Sequence, residues 1–157
     1  MIIPDLNVLV YAYNADFLRH AAAKRWWEDT LSGQRPIGFA WATLLGFLRV
    51  MTQRRILERL MRLADAIRTV SGWLAQPGVQ IVTPGDGHAR ILFDLISEAG
   101  TAGNLTTDAH LAALAIEYQA ESASADPDFA RFPGLRWFNP LAAGGSRKTT
   151  RSSRSCS

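Results

Sequence analysis

Three aspartates, Asp5, Asp108 and Asp126, fall where an apolar segment gives way to a loop or a helix. Asp5 interrupts MIIPDLNVLVYAYN, an interior-like stretch in which an unpaired carboxylate costs several kcal/mol to bury. Acids gathered in one place repel one another and take up protons. A hard divalent cation, Mg²⁺ or Mn²⁺, removes that difficulty, because it prefers carboxylate oxygen and water and is commonly shared with a substrate phosphate. With two such ions about 4 Å apart, one activates water and the other steadies the leaving oxygen of an in-line phosphodiester displacement. The chemistry expected of these residues is hydrolysis of a nucleic-acid backbone. Each acid also has a plainer use: Asp5 can cap a helix beginning at Leu6, Asp108 can complement a helix N-terminus, and Asp126 and Asp128 in SADPDF can form a turn.

For the three acids to meet, the elements around them must end at one edge. Ile2 to Pro4 read as a short buried strand, and Leu6 to Tyr13 continue as an apolar helix. A helix from about His20 to Leu31, with Ala21, Ala22, Trp26 and Trp27 as packing positions, ends at Ser32-Gly33. Ile37 to Ala40 make a second strand. In WATLLGFLRVMT, Trp41, Leu44, Leu45, Leu48 and Met51 recur at helical spacing toward a core. Leu60 to Ala75 form another helix, with Leu63, Ile67, Val70 and Leu74 inward, closed by Pro77-Gly78. A third strand spans Val79 to Val82, and a helix spans Gly87 to Ala99. The loop Gly100 to Thr106 delivers Thr107 as N-cap of a helix reaching Tyr118, with Asp108 in its first turn. Strands at Glu121 to Ala125 and Leu135 to Phe138 complete the pattern.

Short strands alternating with helices of about twelve residues imply an α/β fold, a three-layer α/β/α sandwich with a short parallel sheet of four to five strands. In an open sheet of this kind the active crevice lies beyond the carboxyl ends of the strands. Asp5 follows the first strand, Asp126 follows the fourth, and Asp108 starts a helix whose preceding loop belongs at the same edge.

The chain of 157 residues is long enough for one domain with a substantial core, and its composition is that of an ordinary globule. The lone cysteine, Cys156, excludes a disulfide framework and points to a reducing compartment, the cytoplasm. No secretory signal opens the chain, and no uncharged apolar run reaches the ~18 residues needed to span a bilayer. The net charge of +3 is carried by the end: without Arg147, Lys148, Arg151 and Arg154, thirteen bases face fourteen acids. The chain therefore divides into a domain over residues 1–141 and a flexible basic tail over 142–157, GGSRKTTRSSRSCS being rich in Gly and Ser.

The segments PDLNVLVYAYN, GNLTTDAHLAALAIEY and SADPDFARFPGLRW, in that order, resemble the PIN-domain ribonucleases, and specifically the VapC toxins of bacterial toxin-antitoxin pairs. The resemblance covers roughly residues 1–141. It implies a PIN-like fold and an endoribonuclease dependent on Mg²⁺ or Mn²⁺. It further implies an RNA substrate cut to a 5′-phosphate and a 3′-hydroxyl, a cognate antitoxin protein that holds the enzyme inactive, and a homodimer. By position, Asp5, Asp108 and Asp126 match the family's metal-binding acids, Asp128 stands beside them, and Ser124 replaces a usual threonine. The chain departs from the family at Gly46, where a glutamate is common; no acid lies between Asp29 and Glu58. Thr43, one turn earlier, offers an oxygen instead, whereas Glu117 lies too far along its helix from Asp108.

The missing glutamate leaves a rival reading open, a catalytically silent PIN-like module that binds RNA or protein. A metal-free enzyme using His20, His88 and His110 is a second rival, although their spacing is not that of a ligand or catalytic set. Arg49, Arg54 and Arg55, and Arg131 and Arg136, are candidate phosphate contacts or solvated charges. The five tryptophans fall mainly at core-facing positions.

Overall fold

The structure, a computed structural model, describes residues 1–142. The tail expected at 142–157, with its four basic residues and Cys156, lies outside the described residues from 143 onward.

Five short strands form one parallel sheet in the order β3-β2-β1-β4-β5: β1 Ile2–Pro4, β2 Ile37–Phe39, β3 Val79–Ile81, β4 Glu121–Ala123 and β5 Trp137–Phe138. Six helices cover it: α1 Leu6–Tyr13, α2 His20–Ser32, α3 Trp41–Thr52, α4 Leu63–Leu74, α5 His88–Ala99 and α6 Thr106–Glu117. The alternation of β2 shows the layering. Ile37 and Phe39 join the core beneath α1, α2, α3 and α4, while Gly38 faces Met1, Ile3 and Val82, which belong to the core under α6. A Cβ at Gly38 would lie 2.7 Å from Val82 Cγ1 and 2.8 Å from Met1 Sδ, so only glycine permits this approach.

Trp73 is the hub of the first core. It stacks on Phe39 at 5.3 Å, meets Phe47, Trp27 and Tyr13 edge-on or tilted, and donates its indole N–H to the Tyr13 hydroxyl at 3.0 Å. One side chain of α4 thereby joins three other helices to the sheet, each aromatic pair adding about 0.5–1.5 kcal/mol beyond its buried area.

This hub explains where the expected packing faces are wrong. Burying Trp73 also buries Ala66 and Val70, and turns Leu63, Ile67 and Leu74 toward solvent. On α3 the buried stripe is Thr43, Leu44, Gly46, Phe47 and Met51, so Trp41 and Leu45 are 53% and 58% exposed. On α2, Ala23 and Trp27 are buried, whereas Ala21 and Ala22 are exposed. Helix α4 begins at Leu63 rather than Leu60, because Met61 donates its N–H to the Met51 carbonyl and Arg62 is extended. The strands also end earlier than expected. Ala40 serves as N-cap of α3 instead of a strand residue, and after β4 the Ser124 N–H still meets the Phe138 carbonyl but the Ala125 and Asp126 N–H groups turn to side-chain partners. Thr107 is not an N-cap: a 3₁₀ turn at Gly103–Leu105 leads directly into α6, Leu105 takes the cap position, and Thr106 bonds back to the Gly103 carbonyl.

Candidate active site

The crevice follows from a proline. In β1, Ile2 donates its N–H to Pro36 on the β2 side, and Asp5 donates to Ala123 on the β4 side at 2.9 Å. Alternation assigns the missing N–H of Pro4 to the β2 side, and there the pairing of β1 with β2 is limited to Ile2↔Ile37. On the other side β1 pairs with β4 through Pro4↔Ala123, so Asp5 leaves the sheet next to the end of β4. Beyond β1 the sheet order reverses direction toward β4, and the carboxyl ends of β1 and β4 therefore flank the switch point at which open α/β sheets bind ligands.

Asp5 is 7% exposed. Its Oδ1 accepts the Leu6 N–H at 2.7 Å, and its Oδ2 accepts the Ser124 hydroxyl at 2.7 Å. The capping use of Asp5 is thus real and takes one oxygen, leaving the other tied to β4. Ser124 is the junction: its Oγ also accepts from Asn7 Nδ2 at 3.2 Å and from the Asp126 N–H at 3.0 Å, and Asn7 Oδ1 accepts the Ala125 N–H. Asn7 is a further residue of this network, beyond the acids that the sequence marks. Its place two residues after Asp5, inside an otherwise apolar helix start, was the available signal. Asp126 is likewise a turn former, its Oδ1 accepting the Asp128 N–H at 2.9 Å.

Asp108, half-buried in the first turn of α6, completes the group by charge. Burial and then the carboxylates of Asp5, Asp126 and Asp128 push it up to about 7. Burial also raises Asp5, opposed by its hydrogen bonds from Ser124 and Leu6 and reinforced by Asp126. The structure therefore brings Asp5, Asp108 and Asp126 into one field, with Asp128 contributing. Hard oxygen donors that mutually suppress ionisation are the donor chemistry a divalent cation satisfies. Among the described residues, no three His, Cys, Asp or Glu side chains stand close enough together to hold an ion as they are placed.

Helix α3 adds no acid, and the geometry gives the reason. A Cβ at Gly46 would stand 2.8 Å from Leu6 Cδ2, so α3 closes on α1 immediately behind Asp5. Thr43 is 2% exposed and its Oγ1 has no hydrogen-bond partner among the described residues.

The other candidates lie elsewhere. Arg49, Arg54 and Arg55 are exposed. Arg131 donates to the Ala99 carbonyl and Arg136 to the Gln119 carbonyl, so both have structural partners. The histidines hold a correction. His88 and His110, unrelated by spacing, meet across α5 and α6, with Glu117 on the far side of His88. Glu117 is accordingly a partner of histidine. Burial and His88 hold His110 below the usual histidine range.

The family model "PIN domain" matches residues 2–135. Ribonuclease VapC33 of Mycobacterium tuberculosis is 48% identical over 141 residues, covering 90% of this chain and 99% of its relative. Ribonuclease VapC37 of the same organism is 44% identical over 142 residues, with 90% and 99% covered. Among solved structures, VapBC2 from Rickettsia felis bound to a DNA fragment from its promoter superposes with a TM-score of 0.63 at 18% identity, covering 88% of this chain and 98% of the other. That superposition carries the same fold.

Proposed function

We propose that this chain, which belongs to the PIN-domain family in its VapC ribonuclease branch, is the toxin of a toxin-antitoxin pair and a metal-dependent endoribonuclease. The observation that carries the reading is the state of Asp108, whose carboxyl is pushed up to about 7 by burial and by three neighbouring acids. A group so placed is unfavourable in the folded protein alone and is relieved by a cation. Asp5, Asp108 and Asp126 would hold Mg²⁺ or Mn²⁺, with Asp128 adding negative charge. When bound, the ion supplies Lewis acidity toward a phosphodiester and toward water. Ser124 holds Asp5 through Oδ2 and fixes the Asp126 backbone, so both acids are oriented by one hydroxyl. Asn7 locks that hydroxyl from α1. Water adds to phosphorus and the 3′ oxygen of the preceding nucleotide leaves, giving a 5′-phosphate and a 3′-hydroxyl.

The chain is held inactive by a cognate antitoxin protein and pairs as a homodimer in the cytoplasm. Support for protein partners comes from large apolar side chains left at the surface of α3 and α4, Trp41, Leu45, Leu63 and Ile67, and from relatives solved as VapBC complexes. No helix among the described residues is long and apolar enough to cross a membrane.

The test is cleavage of RNA by purified wild type, Asp5→Ala and Asp108→Ala in Mg²⁺, in Mn²⁺ and in EDTA. Wild type alone cuts, with either metal, and leaves 5′-phosphate ends. Equal behaviour of all three proteins refutes the assignment in favour of a silent RNA- or protein-binding module. Cyclic phosphate ends that persist in EDTA refute it in favour of histidine chemistry.

A further inference from the structure

A second polar cluster lies outside the acid site. His88, the first residue of α5, and Glu117, the last of α6, have side chains only 8% and 12% exposed. Glu117 Oε1 accepts the Gly85 N–H at 3.2 Å, and its Oε2 stands 2.6 Å from His88 Nδ1. The other nitrogen of that ring, Nε2, is 2.9 Å from His110 Nδ1, and the two rings are near perpendicular. The acceptors fix the protons. A carboxylate can only accept, so the neutral tautomer of His88 that suits Glu117 carries its proton on Nδ1 and turns a lone pair at Nε2 toward His110. One proton then lies between two imidazole nitrogens.

A carboxylate behind an imidazole whose other nitrogen faces a second imidazole is the arrangement that orients histidines toward a metal. Imidazole suits the borderline cations, Zn²⁺, Co²⁺, Ni²⁺ and Cu²⁺, whereas Mg²⁺ and Mn²⁺ prefer oxygen. Zn–N bonds are about 2.0–2.1 Å, so an ion bridging these two nitrogens needs them only roughly half an ångström further apart for tetrahedral angles. We propose that His88 Nε2 and His110 Nδ1 form a chelating pair for a borderline transition cation, Zn²⁺ foremost, with Glu117 holding His88 in place. The ion replaces the shared proton, which leaves to solvent, and sits to one side of the line joining the two nitrogens. Water completes the coordination on the half-exposed side of His110. Helix α6 then carries two sites of opposite preference, hard oxygen around Asp108 and imidazole at His110, two residues on and about 200° round the helix.

The experiment is calorimetric titration of the untagged full-length chain with ZnCl₂ in excess Mg²⁺, in a Cys156→Ser background, with the visible spectrum of Co²⁺ recorded in parallel. One equivalent of Zn²⁺ binds, and Co²⁺ gains visible absorption. Both signals disappear in His110→Gln, a half-exposed position, and in His88→Gln where that variant folds. Both persist in Asp5→Asn, which separates this site from the acid site. Glu117→Gln weakens binding about 10- to 100-fold, as loss of an orienting partner does. The proposal is overturned if no Zn²⁺ binds in the presence of Mg²⁺, if His110→Gln binds like its parent, or if Asp5→Asn abolishes the signals.

Discussion

Replacing Asp108 with asparagine should stabilise the protein and abolish its activity, and both effects have one cause. The Asp108 carboxyl titrates at 3.8 when unperturbed and at about 7 in the fold, raised by burial and by Asp5, Asp126 and Asp128. Folding therefore raises the affinity of this acid for protons, and the folded state binds more protons than the unfolded one between about pH 4 and pH 7. By linkage, stability falls as pH rises through that window and levels off above it. The rise from 3.8 to about 7, at 1.36 kcal/mol for each tenfold change in proton affinity, sets a ceiling of about 4 kcal/mol. Asp108 is only partly buried, so solvent screening reduces this to about 1–2 kcal/mol. Asparagine keeps the shape and removes the charge. Urea unfolding in EDTA at pH 8 should place Asp108→Asn about 1–2 kcal/mol above wild type, a rise of several degrees in Tm for a chain of this size. Near pH 4 the two should coincide. Saturating Mg²⁺ should reverse the order, because an ion at 100 times its Kd adds about 2.7 kcal/mol to whichever protein binds it. An Asp108→Asn protein no more stable than wild type at pH 8 without metal would refute the electrostatic argument, whatever its activity.

Gly46→Glu, which restores the family's usual acid, should not raise activity: its Cβ meets Leu6 Cδ2 at 2.8 Å, and overpacking should cost about 1–3 kcal/mol in urea unfolding. Gly38→Ala should cost as much or more, since the new Cβ meets Val82 and Met1 together; equilibrium unfolding checks it. Ser124→Ala removes a donor from buried Asp5 and an acceptor from Asn7 and Asp126, and should cost about 1–3 kcal/mol. The same Ser124→Ala protein should show weaker Mg²⁺ activation of RNA cleavage, a readout that a purely structural serine would leave unchanged.

The fold class was legible because periodicity and boundary residues agree over most of the chain: five strands and six helices stand within a few residues of their expected places. What misled was the direction of the helix faces. Leu63, Ile67 and Leu74 are as apolar as Val70, and only the depth of Trp73 between Phe39 and Phe47 decides which stripe goes in. Periodicity supplies the stripe, whereas side-chain size at the interface selects its phase. The same limit hid the histidine pair. His88 and His110 are 22 residues apart on different helices, so their meeting depends on how α5 packs on α6, which no local pattern records.

Asp5 shows how the expected convergence of acids escapes that limit. Its position depends on covalent neighbours, since Pro4 withholds the N–H that would continue the pairing with β2 and Asp5 itself donates to Ala123 in β4. Such local constraints survive any error in helix phase. The contribution of α3 does depend on phase, and here glycine, packed against the Leu6 side chain, stands where an acid is common in the family. With no side chain at Gly46, α3 approaches Leu6 directly after Asp5, and the polar group on that stripe is the buried hydroxyl of Thr43, unpaired among the described residues. A hydroxyl left unpaired costs about 1–3 kcal/mol, a cost that water or an ion would offset. The α3 side of the site is therefore neutral rather than acidic. The negative charge that a cation would meet comes from β1, α6 and the loop after β4, so under the proposed function these elements, and not α3, would set the affinity for metal.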